Sequence, residues 1–173
     1  MRKLLWIVLV LVALVFGFLV SQGLYTSVEV QQGEQGGFIL LGMDHVGPYA
    51  EIGNAFTALK ELHPDGEFSG VYFDDPETVA ADSLRAFAGV RVTTAEGLDQ
   101  MAKHHTLRLH HIERRPSHFI DWPHGSNLVG ILLGTFKAYP ALGEASAATG
   151  FSGGDVIAYE TYGPDGVRYV MQY

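Results

Sequence analysis

The sequence predicts an α+β protein in which a β-α-β-β module occurs twice in one antiparallel sheet, preceded by one N-terminal transmembrane helix. Residues 4 to 20 are apolar and carry no charge. Short strand patterns then alternate with helix patterns, and the first strand of each half ends in a histidine near a glycine, at His45 and at His124. Two such modules place their helices on one side of the sheet and leave a central groove where they meet.

The N-terminal apolar run has the length and composition of a membrane span. As a helix rising 1.5 Å per residue, residues 4 to 20 extend over roughly 25 Å, near the lower limit for a bilayer. The run is longer than a typical signal-peptide core of roughly 7 to 15 residues, although Ser21 and Gly23 are small enough to permit cleavage. We expect an anchor, with a cleaved signal peptide as the alternative.

The positions of the first basic residues predict the orientation of that segment. Arg2 and Lys3 precede the apolar run, and the next lysine or arginine is Lys60. Under the positive-inside rule, the N-terminus then faces the cytoplasm. We expect residues 1 to 25 to form a single-pass anchor and residues 26 to 173 to form an extracytoplasmic domain, which would be secreted if the anchor were removed.

Composition argues against one class of partner. The chain of 173 residues is 47% hydrophobic, which is enough for one folded core, and its formal net charge is -8. Apart from the pair Arg114 and Arg115, the basic residues are scattered, whereas a nucleic-acid surface needs a basic stripe. The chain also lacks cysteine, which excludes disulfides and thiolate chemistry. We expect no nucleic-acid partner.

The first module is predicted from its apolar patterns. A short strand at Ser27 to Val30 leads to the continuous apolar run Phe38 to Met43, which is typical of a buried strand. From Pro48, apolar residues recur with helical spacing at Ile52, Ala55, Phe56, Leu59 and Leu62. Two further strands are predicted at Ser69 to Asp74 and Leu84 to Thr94, separated by a turn.

The second module repeats this order. Its predicted elements are a short helix at Leu98 to Lys103, strands at Leu107 to Glu113 and Ser117 to Trp122, a helix at Asn127 to Tyr139, and strands at Asp155 to Tyr162 and Val167 to Tyr173. Pro140 is expected to start a separate helical turn, and Gly150 is a natural helix C-cap.

Two motifs that look catalytic or metal-binding have simpler explanations. Residues 150 to 154 match G-x-S-x-G, but that nucleophile turn follows a strand and precedes a helix, and its histidine comes later in the chain. Here the order is reversed, and the last histidine is His124. The pairs His104-His105 and His110-His111 lack the regular spacing of zinc ligands. We therefore expect no metal and no cofactor.

Glu160 stands out among the charged residues because it lies inside an alternating strand pattern. Val156, Ala158, Glu160 and Tyr162 share one face of that strand. A carboxylate on such a face is partly desolvated, which raises its pKa and favours a cation or a hydrogen-bond donor beside it. An exposed glutamate on a solvated sheet face is the alternative.

Three stretches resemble a known family. HVGPYAEIGNAF, GVYFDDPETVAADSLRAFAGVRV and YETY are similar to the GyrI-like small-molecule-binding domain of the SOUL/GyrI superfamily, over about residues 27 to 173. That domain is a duplicated β-α-β-β fold with a central groove, and it forms the effector-binding half of multidrug-sensing regulators. The resemblance implies that the chain binds a small molecule.

The same resemblance implies a set of ligand-binding residues. His45, Gly47 and Tyr49 match the strand-to-helix turn of the family. The side chains of His45 and Tyr49 would frame one side of the groove. A capped turn and a packed tyrosine explain them equally well. Glu160 matches the groove glutamate that meets cationic ligands in drug-binding members. The aromatic walls implied by the resemblance and by strand phase are Tyr72, Trp122 and Tyr162.

The anchor together with VYFDDP, RRPSH and AYPAL resembles a membrane-anchored branch that includes the animal testis-expressed reticulophagy receptor. We expect neither gene regulation nor autophagy to transfer. The chain shows no helix-turn-helix segment, it stops at Tyr173 without an acidic tail, and its expected outward topology is opposite to the one that autophagy requires.

Three functions remain open on the sequence. The first is a membrane-tethered module that binds an amphipathic small molecule, with a cation favoured by Glu160. The second is a hydrolase of reactive small molecules, in which the groove glutamate acts as base or nucleophile and a tyrosine as acid. The third is a scaffold whose groove is filled by side chains and whose outer surface meets a protein partner.

Overall fold

The computed structural model describes residues 2–125, 127–149 and 156–173, and it confirms the predicted α+β class. Its helices are α1 (Arg2–Ser21), α2 (Gly53–Leu62), α3 (Thr94–Lys103) and α4 (Leu128–Ala148). Its strands are β1 (Gln31–Gln35), β2 (Phe38–Val46), β3 (Phe68–Tyr72), β4 (Arg85–Val92), β5 (Arg108–Ile112), β6 (Arg115–Trp122), β7 (Ile157–Gly163) and β8 (Gly166–Gln172).

All eight strands belong to one antiparallel, curled sheet in the order β1-β6-β8-β7-β3-β4-β2-β5. The order confirms the duplication. One module is β2-α2-β3-β4 and the other is β6-α4-β7-β8, and they are joined through β3 and β7 at the centre of the sheet. Each module thus contributes three neighbouring strands in the same relative order.

The two outermost strands cross between the modules. β1 directly precedes β2 in the chain but pairs with β6, and β5 directly precedes β6 but pairs with β2. A Gly36-Gly37 turn with φ values of 95° and 81° begins the first crossing. Such φ values favour glycine because they place other residues in the left-handed region. The exchange ties both modules into one half-barrel.

Hydrophobic residues are buried on both faces of the sheet. The helix-bearing face has one cluster that includes Leu41, Ile52 and Leu59 and another, packed against α4, that includes Trp122 and Leu142. The opposite face holds a third cluster: Leu40, Val71, Phe87, Ile112, Tyr159 and Val170. The alternation of Leu40 and Leu41 between clusters shows why β2 reads as a continuous apolar run.

Two sequence predictions about element bounds are wrong. No strand forms at Ser27 to Val30; Val28 and Val30 instead pack against the cluster below α4, and the first strand starts at Gln31. Pro140 does not start a separate turn, because α4 runs through it without interruption. Pro140 and Phe136 are both exposed, so the hydrogen bond that the proline removes falls on the open side of the helix.

The predicted short helix at Leu98 also begins earlier than expected. Thr93 is the N-cap of α3: its hydroxyl accepts from the Glu96 amide, and the Glu96 carboxylate accepts from the Thr93 amide at 2.9 Å. This reciprocal capping box satisfies two amides of the first turn and starts the helix at Thr94. The predicted C-cap Gly150 and the G-x-S-x-G stretch lie outside the described residues.

The N-terminal helix α1 is long and apolar enough to cross a membrane. Its most apolar window has a mean hydropathy of 3.0, and none of that window is buried against the rest of the chain. The apolar side chains of this window are therefore open to the surroundings in the structure.

Candidate functional site

Glu160 lies in the central strand pair that joins the two modules. In the β3-β7 ladder it is directly opposite Gly70, and its side chain points to the helix-bearing face. Glu160 is only 4% exposed, although it is a carboxylic acid. The prediction that its strand face is partly desolvated is thus met, whereas the alternative of a solvated sheet face is wrong.

Three tyrosine hydroxyls surround the Glu160 carboxyl group, and we call these side chains the tyrosine cluster. Tyr139 of α4 donates to Oε1 at 2.9 Å, Tyr162 of β7 donates to Oε2, and Tyr72 of β3 lies 3.5 Å from Oε2. Among the residues that the structure describes, no lysine, arginine or histidine forms an ion pair with Glu160. The carboxyl group is therefore held by neutral donors alone.

Burial dominates the electrostatics of this site. It raises the pKa of Glu160, while the hydrogen bonds from the three phenols act in the opposite direction. Burial, and then the nearby Glu160 charge, also hold the pKa of Tyr72, Tyr139 and Tyr162 well above the usual value. The phenols therefore stay protonated and remain donors, and the negative charge on Glu160 is costly unless a positive charge approaches.

Small residues make the site possible. A Cβ on Gly70 would lie 2.9 Å from the Tyr72 hydroxyl, so the Tyr72 ring occupies the space that this glycine leaves free. On α4, a Cβ on Gly134 would lie 2.6 Å from the Tyr169 hydroxyl and 2.7 Å from Trp122 Cδ1. The helix consequently packs directly on the sheet, and Tyr139, about one turn further on, reaches Glu160.

Tyr49 supports the site from the first module. Its hydroxyl donates to the Asp74 carbonyl at 2.7 Å and accepts from the Asp74 amide at 3.1 Å. Its ring packs edge-on against Tyr72, with centroids 4.9 Å apart. Since both polar functions of Tyr49 are used by the backbone, its contribution to the site is to hold Tyr72 in place.

His45 stabilises the turn itself. Its Nε2 lies 3.0 Å from the Pro48 carbonyl oxygen. A carbonyl can only accept, so Nε2 carries the hydrogen and donates it. The structure thus gives His45 a local partner in the Gly47-Pro48 turn and no hydrogen bond to the tyrosine cluster among the described contacts.

Trp122 is a core residue below α4. It is 1% exposed, and its Nε1 donates to the Gly130 carbonyl at 2.8 Å. Of the six residues predicted to bind ligand, the structure brings Tyr72, Glu160 and Tyr162 into direct contact and places Tyr49 beside them. His45 and Trp122 have partners of their own elsewhere on the same face.

Sequence reasoning missed Tyr139. The residue follows Ala138, which belongs to the buried series Gly130, Gly134, Ala138, Leu142 and Ser146. That series recurs every four residues, and it indicates which side of α4 faces the sheet. A tyrosine at the margin of this side, beside a small residue, was the available signal.

A metal site and a cavity on the other face of the sheet are the alternatives to the site around Glu160. The described residues contain no group of three or more histidine or acidic side chains placed to hold a metal ion. A wide cavity of about 810 Å³ lies on the opposite face of the sheet, where Phe38, Tyr159 and Arg168 contribute to its wall. The site around Glu160 is closed by its tyrosines in this structure.

Comparison with known proteins gives a fold and no family. No protein-family model matches the chain, and no curated protein matches it. An uncharacterized conserved protein from Listeria innocua matches with a TM-score of 0.51 and 11% identity, over 85% of this chain and 92% of the other. A hydrolase from Listeria innocua matches with a TM-score of 0.50 and 10% identity, over 88% and 95%. At such identities the likeness is one of fold alone.

Proposed function

We propose that this chain is a membrane-anchored, GyrI-like binding module that takes up an amphipathic cationic small molecule at Glu160. One observation carries the proposal: a carboxyl group that is 4% exposed is surrounded by three phenols and has no cationic partner among the described residues. A buried carboxylate without a counter-charge is unfavourable. A ligand cation would supply the missing charge.

The tyrosine cluster suits such a ligand. The faces of Tyr72, Tyr139 and Tyr162 are apolar and electron-rich, and a cation over an aromatic ring gains about 0.5 to 2 kcal/mol. The phenols meanwhile keep hydrogen bonds on the carboxylate, so its charge is shared rather than neutralised. Apolar groups of the ligand would pack on the rings, and the charged group would lie near Glu160.

Ligand entry requires one tyrosine to move, because Glu160 is enclosed. Tyr72 is the best candidate for this movement. Its contact with Glu160 is the longest of the three at 3.5 Å, and its ring packs against Tyr49 beside the Gly47-Pro48 turn. Displacing Tyr72 toward solvent would open the site while Tyr139 and Tyr162 keep their hydrogen bonds to the carboxylate.

The assignment to the GyrI-like family rests on the motifs HVGPYAEIGNAF, VYFDDP and YETY and on the duplicated fold. Membrane attachment is supported by the length and apolar character of α1. The orientation, with residues 26 to 173 outside the cytoplasm, rests on the positions of Arg2 and Lys3 before that helix.

A second candidate function is hydrolysis of a reactive small molecule. Burial raises the pKa of Glu160, which suits a general base or acid, and Tyr162 is a neutral hydroxyl in contact with it. One of the two Listeria innocua proteins of similar fold is a hydrolase. Turnover distinguishes the two functions, since a binding module releases its ligand unchanged.

The proposal is tested with the full chain in detergent and two triarylmethane probes. Crystal violet is a lipophilic cation, and its neutral leuco form carries the same aryl groups. We expect saturable binding of crystal violet and weaker binding of the leuco form. Equal affinities for the two probes would contradict the counter-charge proposal. No binding of either probe would favour a protein-interaction scaffold. For hydrolysis, product from an activated cyclopropane must exceed one equivalent of protein.

A further inference from the structure

Helix α4 has two opposite ridges of side chains. The inward ridge is buried against the sheet at Gly130, Gly134, Ala138, Leu142 and Ser146. The outward ridge, displaced by half of that four-residue spacing, begins with Leu128, Leu132 and Phe136, which are 69%, 46% and 74% exposed. Three large apolar side chains therefore line the open side of the first turns of α4.

Charge is absent from this part of the helix. No residue from Leu128 to Phe136 is charged, and the first acidic residue of α4 is Glu144, on the outward ridge about two turns later. The open side of a surface helix normally carries polar and charged residues. A contiguous exposed apolar strip instead marks a surface that contacts another apolar phase.

The segment that leaves α1 is fastened beside this ridge. The Lys137 ammonium donates to the carbonyls of Gly23, Leu24 and Thr26 at 3.1, 2.8 and 2.7 Å. At the other end, the Asn127 amide donates to the Gln22 side chain. Positions 127 and 137 are about 15 Å apart along a helix. The chain after α1 thus runs along the same turns of α4 that expose the apolar ridge.

Close packing makes this attachment specific. Gly23 has a φ of 94°, and a Cβ there would lie 2.5 Å from His124 Cδ2 and 2.6 Å from Trp122 Cζ2. The Thr26 hydroxyl is hydrogen-bonded to His124 Nε2 at 3.0 Å. The end of α1 is therefore seated on the sheet domain by contacts that a long flexible linker would not make.

An exposed tyrosine, Tyr25, lies in the segment that leaves α1. Tyr25 is 72% exposed, and its ring packs edge-on against Phe16 of α1 with centroids 6.1 Å apart. Tyrosine is enriched where transmembrane helices emerge from the bilayer, because its ring is apolar and its hydroxyl is wet. Tyr25 therefore lies where a bilayer surface would meet the domain.

We propose that the outward ridge of α4, formed by Leu128, Leu132 and Phe136, rests in the surface of the lipid bilayer that α1 enters. This inference depends on the proposed membrane anchoring. Helices with one apolar side lie in the membrane interface with that side buried about 5 to 10 Å. Since Tyr139 lies on a flank of the same helix, α4 contacts lipid on one side and Glu160 on another.

The absence of cysteine makes spin labelling a direct test. Single cysteines at Leu132 and Phe136 are labelled with a nitroxide in the full chain, reconstituted in phosphatidylcholine vesicles with a fraction of phosphatidylglycerol. Accessibility to oxygen, which concentrates in lipid, is compared with accessibility to a water-soluble nickel chelate. Leu98, which is 57% exposed on α3, provides the matched control.

We expect the ratio of oxygen to nickel-chelate accessibility at Leu132 and Phe136 to shift toward oxygen relative to Leu98. A label at Val12 in α1 separates the two proposals. If Val12 lies in lipid while Phe136 is as open to the nickel chelate as Leu98, anchoring stands and the α4 proposal is overturned. If both labels are in water, anchoring itself fails. Protection of Phe136 from both reagents would mean that protein covers the ridge, which also overturns the proposal.

Discussion

Gly70 of β3 lies directly opposite Glu160 of β7 in the ladder that joins the two modules. Side chains in directly opposed pairs are close neighbours, with Cβ atoms about 4.5 to 5.5 Å apart. Because Gly70 has no side chain, the Tyr72 ring occupies that space and its hydroxyl approaches the carboxylate. The site is thus created at the junction of a duplicated fold, where one copy supplies the acid and the other supplies the space.

Replacing Gly70 with alanine is expected to displace the Tyr72 phenol, because the new Cβ would lie 2.9 Å from its hydroxyl and 3.2 Å from Cζ. Crowding in a packed core costs about 1 to 3 kcal/mol. We expect the free energy of unfolding in urea to fall by that amount and the crystal violet affinity to change with it.

Gly143→Ala is the matched control for this substitution. Gly143 lies in α4, and no neighbouring atom lies within 4 Å of the place that a Cβ would take there. Alanine at this position is expected to stabilise the protein by about 0.5 to 1 kcal/mol, since glycine is unfavourable within helices. If Gly70→Ala were equally stabilising, the space opposite Glu160 would not be filled as described.

Removing one phenol hydroxyl tests how firmly Glu160 is held. Tyr139→Phe deletes the 2.9 Å hydrogen bond to Oε1 and leaves the ring. We expect a loss of about 1 to 3 kcal/mol in urea unfolding, because a buried acceptor loses its donor. The pKa of Glu160 should rise further. Tyr25→Phe, at a residue that is 72% exposed, should leave the free energy of unfolding unchanged.

The pH dependence of stability has a definite sign. Burial raises the pKa of Glu160 above its ordinary value of 4.5. The contribution of Glu160 to folding stability is therefore complete below the unfolded-state pKa. It is lost as pH rises through the higher folded-state pKa, because the unfolded chain releases the proton first. We expect Glu160→Gln to gain stability relative to the wild type as pH rises from about 4 to about 8. A constant difference across this range would contradict a raised pKa.

Lys137 is expected to hold the exit of α1 in place. Lys137→Met keeps the apolar stem but removes the donor to three carbonyls. Losing hydrogen bonds from a charged group costs about 1.5 to 3 kcal/mol, so amides of residues 22 to 28 should exchange roughly tenfold faster or more in hydrogen-exchange mass spectrometry. Lys103→Met, at a surface ion pair with Asp99, is the control and should leave these amides unchanged.

Much of the fold follows from local sequence patterns. Alternation with period two predicted that Tyr159 and Glu160 point to opposite faces. They do, and Tyr159 belongs to the cluster on the face opposite the helices. The i, i+3, i+4 spacing from Ile52 predicted α2. The helix pattern is strong because one side of α2 is buried, so every third to fourth residue must be apolar. The strand phase is fixed because successive side chains of a strand point to opposite faces of the sheet.

Long-range features could not be read in this way. The pairing of β1 with β6 depends on how the two modules close on each other, and no local pattern specifies it. The approach of Tyr139 to Glu160 depends on how closely α4 packs, which Gly134 sets. For Trp122, strand phase predicted which face its side chain lies on. Only the packed structure shows that its Nε1 donates to the Gly130 carbonyl.

The most direct test of the central proposal is the affinity of crystal violet for Glu160→Gln, with Glu144→Gln as control. Glu144 is an exposed carboxylate on α4, so its substitution makes the same change in net charge. An interaction with a charged group is worth about 1.5 to 3 kcal/mol, which corresponds to a loss of roughly tenfold to a hundredfold. We expect that loss for the cation at Glu160→Gln alone, with affinity for the leuco form preserved. Equal affinities in both variants would contradict a role for Glu160 as the counter-charge.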